Sequence, residues 1–571
     1  MCSNAANVPD TQYALQLVGA DRLRLNRDKP VSRPGPHQLL LRVEAVGLCF
    51  SDLKLLKQFA DHPRKGPIIS GIDPGVLAEI PSYVPGDAPT VPGHETVCRI
   101  VAVGDKVRHH RLGQRVTVQA DYRPFHTAGS NAAFGYNFEG ALQEYFIADE
   151  RIVVQPDTQQ RYLIDAPDEL SASAIALVEP WACVENSYVT AERQTIKAGG
   201  QLLVVAEAGA ELVGLAECFS PDGATARIAA LCAGSDQLDH LGKLGVEVQA
   251  VADTEALPDE GFDDIVYFGC NAQGIEALND KLAARGILAV ILAGRRIGRP
   301  VSVGVGRLHY GFTRWIGTTT DSAADAYAVI PANGDLRPDR PENEKVLVMG
   351  AGGPMGQMHT LRAICSGGER VSVTAGDIDD ARLEALRKKA QPAARRLNVD
   401  FRLVNTRNEP DPLAGETFSY FALMAPLPQL LSEAVARSAE GAIINIFAGI
   451  PAPTRHPLDL DAVISKRCFM YGTSGSRISD MQIVLQKVAA GQLDTNASVD
   501  AICGMAGAAD GIAAVRDRRV AGKIIVYPAL REVGLIALSD LGQHFPTAAA
   551  KLAGGLWTAA AEAELLADTQ T

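Results

Sequence analysis

Between residues 345 and 377 the chain reads KVLVMGAGGPMGQMHTLRAICSGGERVSVTAGD. Val346 to Met349 is the short apolar run of a buried parallel strand. Glycines follow at once, at Gly350, Gly352, Gly353 and Gly356, with Pro354 and Met355 among them. Met355, Met358, Leu361 and Ile364 then recur at helical spacing, and Val371 to Val373 opens a second strand. Glycines at such a turn let the backbone approach a pyrophosphate closely, and the helix start behind them offers amide donors and a partial positive charge. Asp377 ends the second strand about 20 residues past the loop, where a carboxylate accepts from a ribose 2′-OH. That carboxylate would repel a 2′-phosphate, and Ile378, Asp379 and Asp380 add no cation, which favours NAD over NADP. The turn is a residue longer than G-x-G-x-x-G, so its weight comes from strand, helix, second strand and acid lying in register.

At 571 residues the chain is too long for one core. A formal charge of −13 argues against nucleic acid or an anionic membrane as partner. No basic N-terminal apolar segment and no bilayer-length apolar run is present. Ten scattered cysteines without a C-x-x-C pair fit reduced thiols in a cytoplasm.

Residues 1 to about 190 carry short β-like runs such as QLLLRVEAVGLC and ETVCRIVAVG, divided by Gly-Asp and Pro-Gly turns, which suggests a barrel-like domain. Three clusters in it carry chemistry: GLCFSDLK with Cys49, Ser51, Asp52 and Lys54; PGHE with His94 and Glu95; and Glu179 in LVEPWACVENSYV. One thiolate, one imidazole and one carboxylate with an open fourth position is what a catalytic zinc site needs. A lone Cys is more often a small buried hydrophobe and a lone His a satisfied polar residue, so the weight lies in the ordered set.

In these residues the chain resembles the zinc-dependent medium-chain dehydrogenases, most of all the sorbitol dehydrogenase branch and its sorbose-1-phosphate reductase-like members. That branch carries C-G-S-D-x-H, G-H-E, E-P-L and G-x-G-x-x-G in this order. Here they read Cys49 to Lys54, Gly93-His94-Glu95, Glu179-Pro180-Trp181 and Gly350 to Gly356. The resemblance implies an α/β protein with a GroES-like β-barrel catalytic domain and Rossmann-type parallel sheets. It implies Cys49 and His94 as zinc ligands, with Glu95 and Glu179 each either a ligand or the holder of a ligand water. Ser51 would pass the substrate proton outward. Lys54 stands where a histidine usually ends that relay, and Gln119 to Ala148 contains no Cys, so one catalytic zinc and no structural zinc is expected.

The segment HTAGSNAAFGYNFEGALQEY offers Asn137 or Glu139 to sugar hydroxyls, with a surface loop as the equal alternative. Arg64 and Lys65 offer charge for a phosphate, but a solvated charge pair is the better reading.

Residues 200–335 repeat the pattern of 345–475. ARGILAVILAG matches AEGAIINIFAG, and in each copy the closing glycine lies 23 positions before the Gly-Thr of a strand end, Gly294 before Gly317 and Gly449 before Gly472. The first copy's loop, VVAEAGAELVG, puts Glu207 and Glu211 at a helix start where phosphate would sit, a repulsion of roughly several kcal/mol. Its second strand ends in Leu231-Cys232-Ala233, with no acid for a ribose.

The expected layout is a catalytic domain over 1–195, a degenerate Rossmann-like domain over 196–335 and an NAD-binding Rossmann domain over 343–475. A return to the catalytic domain over 476–530 and a helical extension over 531–571 follow, with 333–344 as linker. The chain would be a homodimer or its two copies an internal pseudo-dimer, with the first copy lining the far side of the cleft as the alternative role. The expected activity is hydride transfer between NAD(H) and a secondary alcohol or ketone of a polyol or sugar, including a sugar phosphate. A zinc-free quinone or enone reductase and a non-catalytic binding protein are the alternatives.

Overall fold

Two runs without a polar face, LLVVA in Gln201–Ala206 and VLVM in Lys345–Met349, are satisfied only as strands covered on both sides. In the computed structural model each is central to a six-stranded, all-parallel sheet. The structure describes residues 3–4, 8–155, 157–332, 344–366, 371–408 and 411–568, so the expected linker, Glu344 apart, lies outside the described residues.

The first sheet orders its strands Val248–Ala250, Arg227–Cys232, Gln201–Ala206, Phe262–Phe268, Leu282–Ile291 and Arg314–Thr318. The second runs Asp400–Asn405, Ser372–Asp377, Lys345–Met349, Phe418–Leu423, Ser438–Ile446 and Phe469–Tyr471. Both orders reverse beside their first strand, the doubly wound arrangement whose crevice receives a dinucleotide.

Both sheets lie in one compact unit, Asn186–Ser474. Within it Val301–Val303 pairs antiparallel with His456–Leu458, Ser302 facing Pro457. Ser302 and Pro457 are 155 residues apart, as are Gly294 and Gly449 or Gly317 and Gly472. A Cβ on Gly317 would meet Ile464 at 2.8 Å, and one on Gly472 would meet His309 at 2.7 Å. Position 309 maps onto 464 by the same offset, so the two contacts are reciprocal across a local pseudo-two-fold.

The other unit comprises Met1–Glu185 with Gly475–Thr571. Its nine-stranded sheet is built around Gln38–Gly47, which pairs antiparallel with Glu95–Val103 on one side and Lys523–Val526 on the other. Gly47 faces Glu95 across one pairing and Ile525 across the other, so two strands far apart in sequence end beside Cys49.

The C-terminal extension is mostly helical, through Leu541–His544, Pro546–Ala549 and Ala559–Asp568. Ile536–Ala537 adds a strand to the nine-stranded sheet before the helix Ala559–Asp568. Glu562 accepts from Ala172 N and Ser173 N, capping the helix Ala172–Ala176, and Trp557 is buried with its Nε1 donating to Ser173 Oγ. No helix among the described residues is long and apolar enough to cross a membrane, and the described cysteines are free thiols.

Candidate active site

Cys49 stands at the N-cap of the helix Phe50–Gln58, and its own N–H donates to Asp52 Oδ2 at 3.1 Å. One turn of that helix therefore presents Cys49, Ser51 and Asp52 together. His94 precedes the strand Glu95–Val103, after Gly93 with φ +96°, a backbone bend that favours glycine. A ligand atom from each of Cys49, His94 and Glu95 lies within 4.8 Å of the others. Ser51 Oγ donates to Cys49 Sγ at 3.1 Å and lies 3.1 Å from His94 Nε2.

The far side of the imidazole is held as metal-ligating histidines usually are. Asp52 Oδ1 lies 3.3 Å from His94 Nδ1, off the line of a hydrogen bond, and both atoms are buried without another partner. Burial works against a charged His94, but Asp52 and Cys49 outweigh it and raise its pKa well above the ordinary value. Glu95 is fully buried; its Oε1 accepts from Lys523 Nζ at 2.6 Å, and its Oε2 has no partner. Lys523 also donates to Leu48 O at 2.7 Å. Burial lowers the Lys523 pKa, but Glu95, Cys49 and Glu179 raise it further, so the ammonium stays charged.

Glu179 lies outside the tight trio, on the helix Val178–Val189, where its Oε1 is 3.7 Å from Cys183 Sγ. Burial, with Glu95 and Asp121 adding, pushes its pKa up to about 7 against the pull of His94 and Lys523. Lys54 is exposed one turn beyond Ser51. The donor set fits a zinc ion: thiolate, imidazole and carboxylate converge at a separation that bonds of about 2.0–2.3 Å can span, and a buried Glu95 oxygen is left without a partner.

Four readings of this unit are corrected. Lys65 is fully buried rather than solvated, with Nζ donating to Val84 O and Ala88 O, and burial lowers its pKa to about 8. Arg64 is paired with Asp121 at 2.6 Å and lies over the Tyr136 ring. Asn137 is fully buried, accepting from Ala133 N and donating to Gly66 O. Glu139 is bound to Lys29 at 2.8 Å. Both offered sugar contacts are thus consumed by the fold.

In the second parallel sheet Gly350 has φ +83° and Gly353 caps the helix Pro354–Cys365, with Pro354 in its first turn and Met355 half-buried behind. A Cβ on Gly356 would collide with the turn's own backbone at Gly350 O and Ala351, which fixes that residue as glycine. A Cβ on Gly352 would lie 2.9 Å from Asp377 Oδ2, whereas one on Gly353 would meet nothing within 4 Å. Gly353 therefore faces open space where backbone can meet a phosphate. Asp377 does more than the sequence suggests: Oδ2 accepts from Gly352 N at 2.7 Å and Oδ1 from Ile378 N at 2.8 Å, tying the turn to the strand end.

The first sheet's turn differs in kind. No α-helix follows Gln201–Ala206; Gly209 and Gly214 take φ +75° and +73°, and only a short turn at Ala216–Cys218 forms. Glu207 Oε1 accepts from Tyr267 Oη, Cys270 N and Asn271 N at 2.7, 2.8 and 2.7 Å, and Oε2 pairs with Arg295 at 3.0 Å. Glu207 thus ties the turn after Gln201–Ala206 to the loop that follows Phe262–Phe268. Glu211 is exposed and takes no part, against expectation.

Sequence reasoning missed Lys523 and left Asp52 without a role. Asp52 had a signal, three residues past Cys49 on a helix start; Lys523 had none, since only strand pairing brings it to Glu95.

Residues 35–158 match the alcohol dehydrogenase GroES-like domain family. An Aspergillus alcohol dehydrogenase is 30% identical over 129 residues, 21% of this chain and 31% of that protein. A Gallus gallus sorbitol dehydrogenase is 26% identical over 218 residues, 37% of this chain and 55% of that protein. A putative D-xylulose reductase of Rhizobium meliloti is 25% identical over 302 residues, 51% of this chain and 76% of that protein. The chain spans about a third to just over half the length of the first two relatives. Bacillus subtilis 2R,3R-butanediol dehydrogenase overlays at a TM-score of 0.49 with 15% identity, covering 91% of this chain and 100% of that one, too low to add to the assignment. By its GroES-like domain and by these relatives the chain is similar to the alcohol dehydrogenases of the medium-chain type, with a sorbitol dehydrogenase and a putative D-xylulose reductase among them.

Proposed function

We propose that this chain is a zinc-dependent oxidoreductase that moves hydride between NAD(H) and a secondary alcohol or ketone of a polyol or sugar. The observation that carries the reading is the convergence of Cys49, His94 and Glu95 within 4.8 Å, backed by Asp52. A zinc ion there would supply Lewis acidity that lowers the pKa of an alcohol. Asp52 lies 3.3 Å behind His94 Nδ1 as its charge partner, and Nε2 faces the cluster. Lys523 Nζ donates to Glu95 Oε1 and offsets its charge in the buried site. Ser51 Oγ, 3.1 Å from both Cys49 Sγ and His94 Nε2, is placed to take a substrate hydroxyl proton and hand it outward, with Lys54 exposed one turn on. Arg64, the cation offered for a phosphate, is engaged by Asp121, so a free polyol or sugar is favoured over a phosphorylated one.

The nicotinamide dinucleotide belongs to the turn at Gly350 to Gly356, with Asp377 toward the ribose. The first sheet is a structural copy that serves the second as a built-in partner, an internal pseudo-dimer. Zinc analysis with NADH absorbance across a polyol and ketose panel tests the assignment. One zinc per chain and turnover, both lost in Cys49→Ser and His94→Ala, is expected. Metal-free protein that reduces quinones or enones would replace it with the zinc-free alternative, and binding without turnover with the non-catalytic one.

A further inference from the structure

The pseudo-two-fold relating the two sheets breaks at one residue beside the glycine turn at Gly449. His309 and Ile464 are equivalent by the 155-residue offset, and each packs on the other copy's last strand at Gly472 and Gly317. The next pair is Tyr310 and Ser465. Tyr310 Oη touches the place where a Gly449 Cβ would stand. The equivalent Gly294 has nothing within 4 Å of its Cβ position, so the short Ser465 leaves that space empty. His309 sets the ring: its Nδ1 lies 3.1 Å from Ile446 O, and the two rings stand edge to face at 4.7 Å.

Gly449 lies in the turn leaving the strand Ser438–Ile446 at its carboxyl end. In a doubly wound sheet the dinucleotide lies across the carboxyl ends, one mononucleotide on each side of the reversal in strand order. Gly350 to Gly356 and Asp377 take the adenosine side, which leaves the nicotinamide side to the strands Phe418–Leu423 and Ser438–Ile446. An aromatic ring is delivered to that side from the copy whose own turn holds Glu207. Tyr310 is 41% exposed, so part of its ring remains open to a ligand.

We infer that Tyr310, carried by the sheet that binds no nucleotide, forms part of the nicotinamide-end wall of the site on the other sheet and sets its affinity for the complete dinucleotide. The inference rests on the dinucleotide reading above and adds to it a contact supplied by the degenerate copy.

Titration of the full chain with NADH and with ADP-ribose, which lacks the nicotinamide, separates the possibilities. Tyr310→Ala should weaken NADH by about 3- to 10-fold, the scale of one lost aromatic contact, and leave ADP-ribose within about twofold. Tyr310→Phe should recover most of the loss, and Ser465→Ala should change neither ligand. Equal weakening of both ligands would mean a merely structural role and overturn the inference, as would no change in either. Wild-type protein that binds neither ligand would overturn the dinucleotide reading itself and this inference with it.

Discussion

The two parallel sheets share strand order and a reciprocal edge contact, yet their first turns have opposite chemistry. In the second, glycines leave space before a helix of twelve residues, and the acid Asp377 stands behind the turn, bonded to Gly352 N. In the first, the acid stands inside the turn, and Glu207 takes up two backbone donors of the neighbouring loop, Cys270 N and Asn271 N, and the Tyr267 hydroxyl. The two sheets keep the same packing while the acid stands behind the loop in one and within it in the other. Burial and register are properties of the whole sheet, whereas anion binding depends on a few N–H groups and the space before them.

The largest effect expected on this contrast comes from placing a carboxylate in the competent turn. Gly353→Asp meets no steric obstacle and should weaken NADH about 1000-fold, the scale of a like-charge contact of ~4 kcal/mol. Ala208→Asp in the first turn should leave NADH affinity unchanged. Comparable losses in calorimetric titration would show that both turns bind.

Glu207→Ala should cost roughly 1 kcal/mol of unfolding free energy, because it removes the hydrogen bonds from Tyr267, Cys270 N and Asn271 N and the Arg295 pair at a partly exposed site, without affecting NADH. Denaturant unfolding checks the stability and the same titration checks the binding. A gain of a second NADH per chain would mean that Glu207 alone closes the first site.

The interface between the copies should behave symmetrically where the turns do not. Gly317→Ala and Gly472→Ala should each cost about 1–3 kcal/mol through overpacking. A cost confined to one of them, read by thermal unfolding, would break the pseudo-two-fold.

Acid should weaken the protein through the second sheet. Burial, with Arg362 adding, lowers the pKa of His359 on the helix Pro354–Cys365 to about 3, against an unfolded value near 6.5. The unfolded chain binds that proton first, so this contribution is complete above pH 6.5 and declines as pH falls toward 3. Between pH 6.5 and 5.5 the loss should be about 1 kcal/mol, and His359→Gln should flatten that slope in pH-dependent denaturation.

Much of the fold was legible because it follows from periodicity. Apolar runs such as VLVM announce buried strands, and the equal spacing from Gly294 to Gly317 and from Gly449 to Gly472 announced the repeat. Cys49 and His94 were readable as a set with a carboxylate, Glu95 or Glu179, because thiols and imidazoles are few and these fall in order. The rest depended on distance in the chain. Lys523 reaches Glu95 only through two strands pairing on either side of Gln38–Gly47, and no local pattern marks it. Lys65 and Asn137 looked like surface chemistry because a buried ammonium or amide bonded to carbonyls leaves no signature in composition. The extension looked helical by composition and is so from Leu541 onward, with only Ile536–Ala537 drawn into the sheet by edge pairing.

Native mass spectrometry of the full chain with zinc and saturating NADH tests the central claim most directly. One zinc and one NADH per chain are expected, with Gly353→Asp losing NADH and keeping the zinc. Two NADH per chain, or NADH retained by Gly353→Asp, would contradict it.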